Sequence, residues 1–169
     1  MKKIITIRIG ELYVSRVPVI IHTMVGSCVA VCLFDSVNKI GAMNHILLAD
    51  LSGRQDGISN PRYATRSMEI LLKKTKNLET AKGRIISKLF GGAHVLPGIS
   101  AQDAPGPKIV QAVLEFLASH WIPVVSQDTG GDKGRHVYLH TDTGKVIIKP
   151  VGSPPYSKRH QPPSSPKES

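Results

Sequence analysis

The feature that most constrains the fold of this chain is a pair of short apolar runs separated by a polar pentapeptide. CVAVCLF (28–34) and IGAMNHILL (40–48) flank the segment DSVNK. Short apolar runs with period-two alternation, bounded by turn-forming residues, are typical of strands, and two in succession predict a β-hairpin. With Asp35–Asn38 as the loop, Cys28 lies directly opposite His45, where Cβ atoms are about 5 Å apart. A loop one residue longer would move His45 to the other face of the hairpin.

Strand and helix patterns alternate along the rest of the first 150 residues. Asn60-Pro61 predicts a helix start, with Asn60 as the N-cap and Pro61 at the first helical position. A second amphipathic helix is predicted from about Pro107 to Ser119, and residues 49–61 are predicted to form a loop. Strand patterns occupy KIITIRIGELYVS (3–15), VPVIIHT (17–23), GRIISKLFGGAHVL (83–96) and IPVVSQDTGGDKGRHVYLHTDTGKVIIKPV (122–151). This order predicts an α+β fold with a mixed or antiparallel sheet.

Length and composition favour a single domain followed by a tail. The chain has 169 residues, of which 41% are hydrophobic, enough for one core and too few residues for two ordinary domains. We therefore expect one domain over residues 1–150 and a disordered, basic Pro/Ser-rich tail over residues 151–169. The apolar stretches fall far short of the roughly 20 residues that a membrane helix needs, and the start lacks a signal peptide's apolar region. A cytoplasmic protein without membrane insertion is expected.

The formal net charge of +10 raises the question of an acidic partner. Nucleic acid is one class of acidic partner, because clustered Lys and Arg neutralise phosphates. Here the basic residues are scattered, aromatic residues make up only 5% of the chain, and no nucleic-acid motif is present. We expect a basic surface that faces solvent or a protein partner, and no nucleic-acid binding.

Both cysteines of the chain lie in the first run of the hairpin. Four strand steps place the Cα atoms of Cys28 and Cys32 about 13 Å apart, too far for a disulfide. Two reduced thiols fit the cytosol. The only zinc-like spacing is the His136/His140 pair, and on a strand those side chains also stand about 13 Å apart. No metal site is expected.

The residues alone leave two interpretations of Cys28 open. A free cysteine is most often a small buried core residue. Cys28, however, follows Gly26-Ser27 at the mouth of a strand, where free backbone amides are suited to receive an oxyanion, and the hairpin pairs it with His45. Alternation puts Cys28 and Cys32 on one face of the strand, with Cys32 in the middle as an inert core thiol. Among the other histidines, His22 is a rival base and His94 a weaker one, while surface or tail positions are expected for His136, His140 and His160.

An ordered set of motifs resembles the CheD family of chemoreceptor glutamine deamidases. The set consists of TMVGSCVAVCLFD (23–35), IGAMNHILLAD (40–50), RYATRSMEILL (62–72), KLFGGAHVL (88–96) and IPVVSQDTGGDKGRHVYLHTDTGKVIIK (122–149). The resemblance implies a three-layer α/β/β sandwich with mixed, largely antiparallel sheets and two main helices. It also implies hydrolysis of selected receptor glutamines to glutamate with release of ammonia, without a cofactor.

The family's Cys-His-Thr constellation would fall on Cys28 as nucleophile, His45 as base and Thr23 as the group that orients the imidazole. His22 and Ser27 neighbour that third position and stay alternatives to Thr23. Amides near Gly26 and Ser27 would hold the oxyanion, and the Gly130-Gly131 turn either flanks the substrate groove or is an ordinary glycine turn.

The partners that the resemblance implies are methyl-accepting chemotaxis receptors and, in some lineages, a CheC-type phosphatase. Two departures from the family pattern stand out: Ala42 replaces a common Gly, and ISAQDAPGPK (99–108) lacks a common Arg-Asn pair. The second departure lies at the start of the second predicted helix, away from Cys28, and so bears on partner or substrate recognition before it bears on the chemistry. A non-catalytic adaptor that binds receptors or the phosphatase is the alternative function.

Overall fold

The structure is a computed structural model that describes residues 1–49, 60–78, 80 and 83–153. Most of the loop predicted at 49–61 and most of the tail predicted at 151–169 therefore lie outside the described residues.

Nine strands and two helices make up the described part of the chain. The strands are β1 Lys3–Thr6, β2 Leu12–Ser15, β3 Val19–Val25, β4 Val29–Asp35, β5 Ile40–Asn44, β6 Ile85–Gly91, β7 Val124–Thr129, β8 Arg135–His140 and β9 Val146–Pro150. The helices are α1 Ala64–Lys76, between β5 and β6, and α2 Pro105–Ser119, between β6 and β7.

The strands form two sheets, one of four strands in the order β1-β3-β8-β9 and one of five in the order β2-β5-β4-β6-β7. The pairs β1–β3 and β6–β7 are parallel, and the remaining pairs are antiparallel. The predicted α+β class with mixed, largely antiparallel sheets is confirmed.

Strand β4 contributes side chains to two separate cores. Val29, Val31 and Leu33 pack with buried residues of both helices. Cys28, Ala30 and Cys32 point the other way and pack with residues of β3 and β8 in the four-stranded sheet. The helices thus cover one face of the five-stranded sheet and the second sheet covers the other, which is consistent with a three-layer α/β/β sandwich.

The alternating pattern over residues 3–15 does not form the continuous strand that the sequence predicts. The chain turns at Gly10, whose φ is +79°, so that β1 joins the four-stranded sheet and β2 joins the five-stranded one. A Cβ at residue 10 would lie 2.9 Å from Cγ of Arg62, a second reason for glycine at this turn.

The predicted start of the first helix is wrong. The helix begins at Ala64, and Asn60 instead closes a short turn in which its Oδ1 accepts a hydrogen bond from Arg62 N–H at 3.0 Å. Asn favours such local turns as strongly as helix caps. The helix is amphipathic, with Ala64, Met68, Leu71 and Leu72 all buried.

Candidate active site

The candidate nucleophile lies where the chain crosses from one sheet to the other. Cys28 ends the bend of residues 26–28, which joins β3 in the four-stranded sheet to β4 in the five-stranded sheet. Its thiol is free and the residue is 7% exposed. The sequence predicted Cys28 as the first residue of the strand, and the structure places it one residue earlier.

The predicted hairpin register is wrong by two residues. Phe34 pairs with Gly41 and Asp35 with Ile40, so the loop is 36–39. Asp35 stays in the strand because its carboxylate Oδ1 accepts hydrogen bonds from the N–H groups of Val37 and Asn38, at 2.9 and 3.1 Å, and so closes the turn. A shift of two residues keeps every side chain on its predicted face.

In the observed register, His45 is not directly opposite Cys28. Cys32 pairs with Met43, and Val29 forms a bridge with Ile46. His45 therefore lies on the level of Ala30, diagonal to Cys28 and on the same face of the sheet. No hydrogen bond joins Cys28 Sγ to His45 Nε2 among the described residues. Catalytic hydrogen bonds often shorten only when the substrate binds.

The imidazole of His45 is held by Thr23, which lies on β3 in the other sheet. Thr23 Oγ1 is 2.7 Å from His45 Nδ1, and it donates a hydrogen bond to the backbone carbonyl of Ile7 at 2.9 Å. Since the one hydroxyl proton goes to Ile7, Thr23 must accept from Nδ1–H of the ring. This assigns the Nδ1–H tautomer to His45, so that its Nε2 carries a lone pair and is the basic atom.

Burial keeps both candidate reacting groups neutral at pH 7. His45 is 4% exposed, and desolvation lowers the pKa of its imidazole to about 4. Desolvation also raises the pKa of the Cys28 thiol. The pair therefore rests as thiol and neutral imidazole rather than as thiolate and imidazolium, and His45 is equipped to act as a general base.

A glycine pair at the end of β6 fixes the bend that contains Cys28. Gly92 N–H donates to the carbonyl of Cys28 at 2.8 Å, and Ala93 N–H donates to the carbonyl of Gly26 at 2.9 Å. A Cβ at Gly91 would lie within 2.3 Å of the carbonyl oxygen of Cys28, so the backbone can approach this closely only at glycine. No backbone hydrogen bond from the N–H of Ser27 or Cys28 to another described residue is present.

The turn at Gly130-Gly131 is tied to the same glycine pair. Gly130 N–H donates to the carbonyl of Gly91 at 2.9 Å, and Gly131 accepts from His94 N–H at 2.8 Å. The Arg135 guanidinium donates to the carbonyls of Gly91 and Gly130, at 3.3 and 2.7 Å. The turn thus contacts the segment that contacts Cys28, and its part in a substrate groove stays a prediction.

The rival histidines face away from the candidate site. His22 lies on β3 next to Thr23, and its ring bonds Thr6 Oγ1 at 3.1 Å and His136 Nδ1 at 3.0 Å on the opposite face. His94 Nε2 lies 2.6 Å from the carbonyl of Ile99 on the surface. The structure corrects one minor expectation, since His140 is fully buried rather than at the surface.

Sequence reasoning missed the carbonyl of Ile7, which fixes the direction of the Thr23 hydroxyl. A backbone carbonyl has no sequence signature, so only the three-dimensional fold identifies it.

No cluster of three or more metal-ligating side chains is found in the described part of the chain. None of the described helices is long and apolar enough to cross a membrane.

A buried thiol beside the start of β4 and an imidazole just after β5, oriented by a hydroxyl from the other sheet, form an arrangement suited to thiol-dependent amide chemistry. Residues 33–150 match the model of one family, CheD, described as CheD chemotactic sensory transduction. The chain belongs to the CheD family. The matched segment contains His45 and begins after Thr23 and Cys28.

Full-length relatives extend the similarity over most of the chain. It is 37% identical over 140 residues to a probable chemoreceptor glutamine deamidase CheD 1 of Dechloromonas aromatica, covering 83% of this chain and 69% of the relative. It is 36% identical over 153 residues to the chemoreceptor glutamine deamidase CheD of Thermotoga maritima, covering 90% and 94%. A probable deamidase of the same name from Thermococcus kodakarensis is 36% identical over 152 residues, covering 88% and 94%.

Proposed function

We propose that this protein is a chemoreceptor glutamine deamidase with a thiol mechanism, in which Cys28 is the nucleophile and His45 the base. Its reaction is the hydrolysis of selected glutamine side-chain amides of methyl-accepting chemotaxis receptors to glutamate and ammonia. The observation that carries the mechanism is the hydrogen bond between Thr23 Oγ1 and His45 Nδ1, at 2.7 Å. It leaves Nε2 as the proton acceptor on the face of the sheet that also carries Cys28.

The first half of the reaction forms a thioester. His45 Nε2 takes the proton of the Cys28 thiol, and the sulfur attacks the side-chain carbonyl carbon of the glutamine. The tetrahedral intermediate collapses when the protonated His45 gives its proton to the amide nitrogen. The carbon–nitrogen bond breaks, ammonia leaves, and a glutamyl thioester with Cys28 remains.

The second half returns the enzyme to its starting state. His45 Nε2 removes a proton from water, and the hydroxide attacks the thioester carbonyl. The carbon–sulfur bond breaks, the thiolate recovers its proton from His45, and the carboxylic acid product leaves and loses its proton to solvent as glutamate. Thr23 keeps the imidazole in one tautomer and orientation through both halves, as a third group does in Cys-His and Ser-His hydrolases.

Backbone amides at the mouth of β4 are suited to stabilise the oxyanion of both intermediates. The N–H groups of Ser27 and Cys28 donate to no backbone carbonyl of the described residues, while the carbonyls of Gly26 and Cys28 accept hydrogen bonds from the segment that follows β6. Donors fixed in this way cost no reorganisation when charge develops on the substrate oxygen. Ser27 contributes its amide here rather than orienting His45.

The charge of the protein fits this class of substrate. Each event converts a neutral amide into a carboxylate on the receptor, and a protein with a net charge of +10 is attracted to an acidic helical bundle at long range. A cytoplasmic location and a CheC-type phosphatase as second partner complete the proposal, and both rest on the family resemblance.

The test compares the wild-type protein with Cys28→Ala on purified receptor fragments, with ammonia release and mass spectrometry as readouts. We expect ammonia from the wild type alone, together with a gain of about 1 Da at individual glutamines, the mass difference between an amide and an acid. Equal release from both proteins would contradict the thiol mechanism. No release from either would favour a non-catalytic adaptor, and chain cleavage would indicate a peptidase.

A further inference from the structure

The ladder between β4 and β5 is interrupted immediately before His45. Regular pairing runs from Asp35–Ile40 to Cys32–Met43, and the same register resumes at the bridge between Val29 and Ile46. Val29 and Ile46 exchange both backbone hydrogen bonds, at 3.0 and 2.8 Å. Hydrogen-bonded pairs alternate along an antiparallel ladder, so the next such pair would join residues 31 and 44.

At that position a side chain replaces the backbone. Val31 N–H donates to Oδ1 of the Asn44 side chain at 2.9 Å, whereas in an unbroken ladder it would donate to the backbone carbonyl of residue 44. The register on the two sides of the break is the same, so no residue has been inserted. The carboxamide of Asn44 therefore fills a gap between β4 and β5.

The other end of the carboxamide is held by helix α1. Asn44 Nδ2 donates to Ser67 Oγ at 3.0 Å and approaches Met68 Sδ at 3.3 Å. Asn44 and Ser67 are both fully buried. Two acceptors on one side and an N–H donor on the other fix which way the amide points.

On its far edge, the backbone of His45 is bonded to the turn before β2 rather than to β4. His45 N–H donates to the carbonyl of Glu11 at 3.1 Å, and its own carbonyl accepts from Gly10 N–H at 3.0 Å. The chain at residues 44 and 45 is thus displaced from β4, with Asn44 bridging the gap. From this displaced position the imidazole of His45 reaches Thr23 in the other sheet.

We infer that Asn44 is a positioning residue for the base: its carboxamide holds β5 away from β4 so that His45 stays in hydrogen-bond contact with Thr23. The inference rests on the proposed function of His45. Without the carboxamide, the buried Val31 N–H lacks an acceptor. It can regain one from the backbone carbonyl of residue 44 if β5 closes onto β4. Closure would draw His45 away from Thr23 and release its tautomer.

The test is Asn44→Ala in the full-length protein, assayed on a receptor fragment. A displacement of about 1 Å in a catalytic group can cost up to about 100-fold in rate, so we expect kcat to fall by about 10- to 100-fold with KM within about twofold. Asn44→Asp keeps an acceptor for Val31 N–H and is expected to retain kcat within about fivefold of the wild type. Nitrogen-15 NMR of the histidines is expected to show loss of the pure Nδ1–H tautomer of His45 in Asn44→Ala.

Leu117→Ala is the matched control for lost stability. Leu117 is fully buried in the helix-side core and belongs to neither strand of the break. It is expected to lower Tm at least as much as Asn44→Ala while leaving kcat and the His45 signals unchanged. An unchanged kcat in Asn44→Ala, an equal loss in Leu117→Ala, or unaltered His45 signals would each overturn the inference.

Failure of the proposed function gives a different result. If the wild-type protein releases no ammonia, the deamidase proposal fails, and the tautomer of His45 in Asn44→Ala still decides whether Asn44 positions the ring.

Discussion

The middle of strand β4 and the bend that precedes it present the same residue type in two different states. Cys28 and Cys32 point to the same face of one strand and pack in the same core between the sheets. Cys32 lies in the middle of the strand, is 1% exposed, and burial raises the pKa of its thiol to about 12. Cys28 lies in the bend before the strand, next to the segment after β5 that carries His45.

Under the proposed function, the position of a thiol relative to the strand, rather than its residue type, decides whether it takes part in the chemistry. In mid-strand the backbone donors are committed to the ladder and the neighbouring side chains close around the sulfur. At the strand mouth the chain changes sheets, the N–H groups of Ser27 and Cys28 donate to no described backbone carbonyl, and residues of both sheets meet. The proposed nucleophile, base and orienting hydroxyl come from a bend, from the segment after β5 and from β3, and all three lie near this position.

Replacing the two cysteines separately is the strongest test of the different roles assigned to them. Cys28→Ala is expected to lower kcat by at least about 1,000-fold, because loss of a nucleophile removes the covalent route altogether. Cys32→Ala is expected to keep kcat within about threefold and to lower Tm, since it leaves a small cavity in the core. Ammonia release and thermal unfolding of both variants measure these effects. A comparable loss of kcat in Cys32→Ala would end the assignment of separate roles.

A smaller effect is expected at Thr23, which links the mouth of β4 to the other sheet. Thr23→Val removes the hydroxyl and keeps the shape, so the imidazole loses the partner that sets its tautomer. Loss of a group that orients a metal-bound histidine typically costs about 10- to 100-fold, and we expect a fall in kcat of similar size here. Thr23→Ser, which keeps the hydroxyl, serves as the control and is expected to restore most of the rate. Wild-type activity in Thr23→Val would show that a neighbouring residue, rather than Thr23, orients the imidazole of His45.

Period-two alternation was sufficient to predict which faces of β4 the two cysteines and the valines occupy. It was not sufficient for the register, because the strand ends where the Asp35 carboxylate caps the turn, and a capping carboxylate looks like any loop aspartate in sequence. The split at Gly10 was hidden for a similar reason: the alternation continues through the turn while the chain changes sheets.

The pair Cys28 and His45 was within reach of sequence reasoning, since both lie on one hairpin. The contact between Thr23 and His45 was not, because it crosses between two sheets and no local pattern says which sheet β3 joins. Only the family resemblance named Thr23. The hydrogen bond of Asn44 to Val31 was equally hidden, since it depends on a break in a ladder whose sequence looks regular.

His45, beside the start of β4, is also expected to make the free energy of unfolding depend on pH, whereas Cys32 in the middle of the strand is not. The pKa of His45 is lowered to about 4 in the folded protein, against an ordinary value of 6.5. Between these two pH values the unfolded chain therefore binds a proton at His45 that the folded chain does not bind. The contribution of His45 to the free energy of unfolding is complete above pH 6.5 and is lost as the pH falls towards 4. Between pH 7 and 4.5 this loss amounts to about 2 kcal/mol, a factor of about 30.

Urea unfolding of wild type, His45→Gln and Cys32→Ala at several pH values measures this effect. His45→Gln is expected to lose less stability than the wild type on acidification, while Cys32→Ala follows the wild type. His140, whose pKa is also lowered to about 4, contributes equally to all three proteins and cancels in the comparison. Identical pH dependence of wild type and His45→Gln would show that His45 is not held neutral by the fold.

The smallest expected effect is the difference in alkylation between the two thiols. Iodoacetamide reacts with thiolates that it can reach, and at pH 8 only about one Cys32 in 10,000 is ionised, given a pKa of about 12. Cys28 is less deeply buried and lies beside the proposed base, so we expect it to be labelled at least about tenfold faster. Peptide mapping of briefly treated protein measures the ratio, and protein unfolded in urea, where both thiols are expected to react alike, is the control. Equal rates in the folded protein would mean that the middle of β4 opens as readily as the bend before it, and the distinction between the two positions would fail.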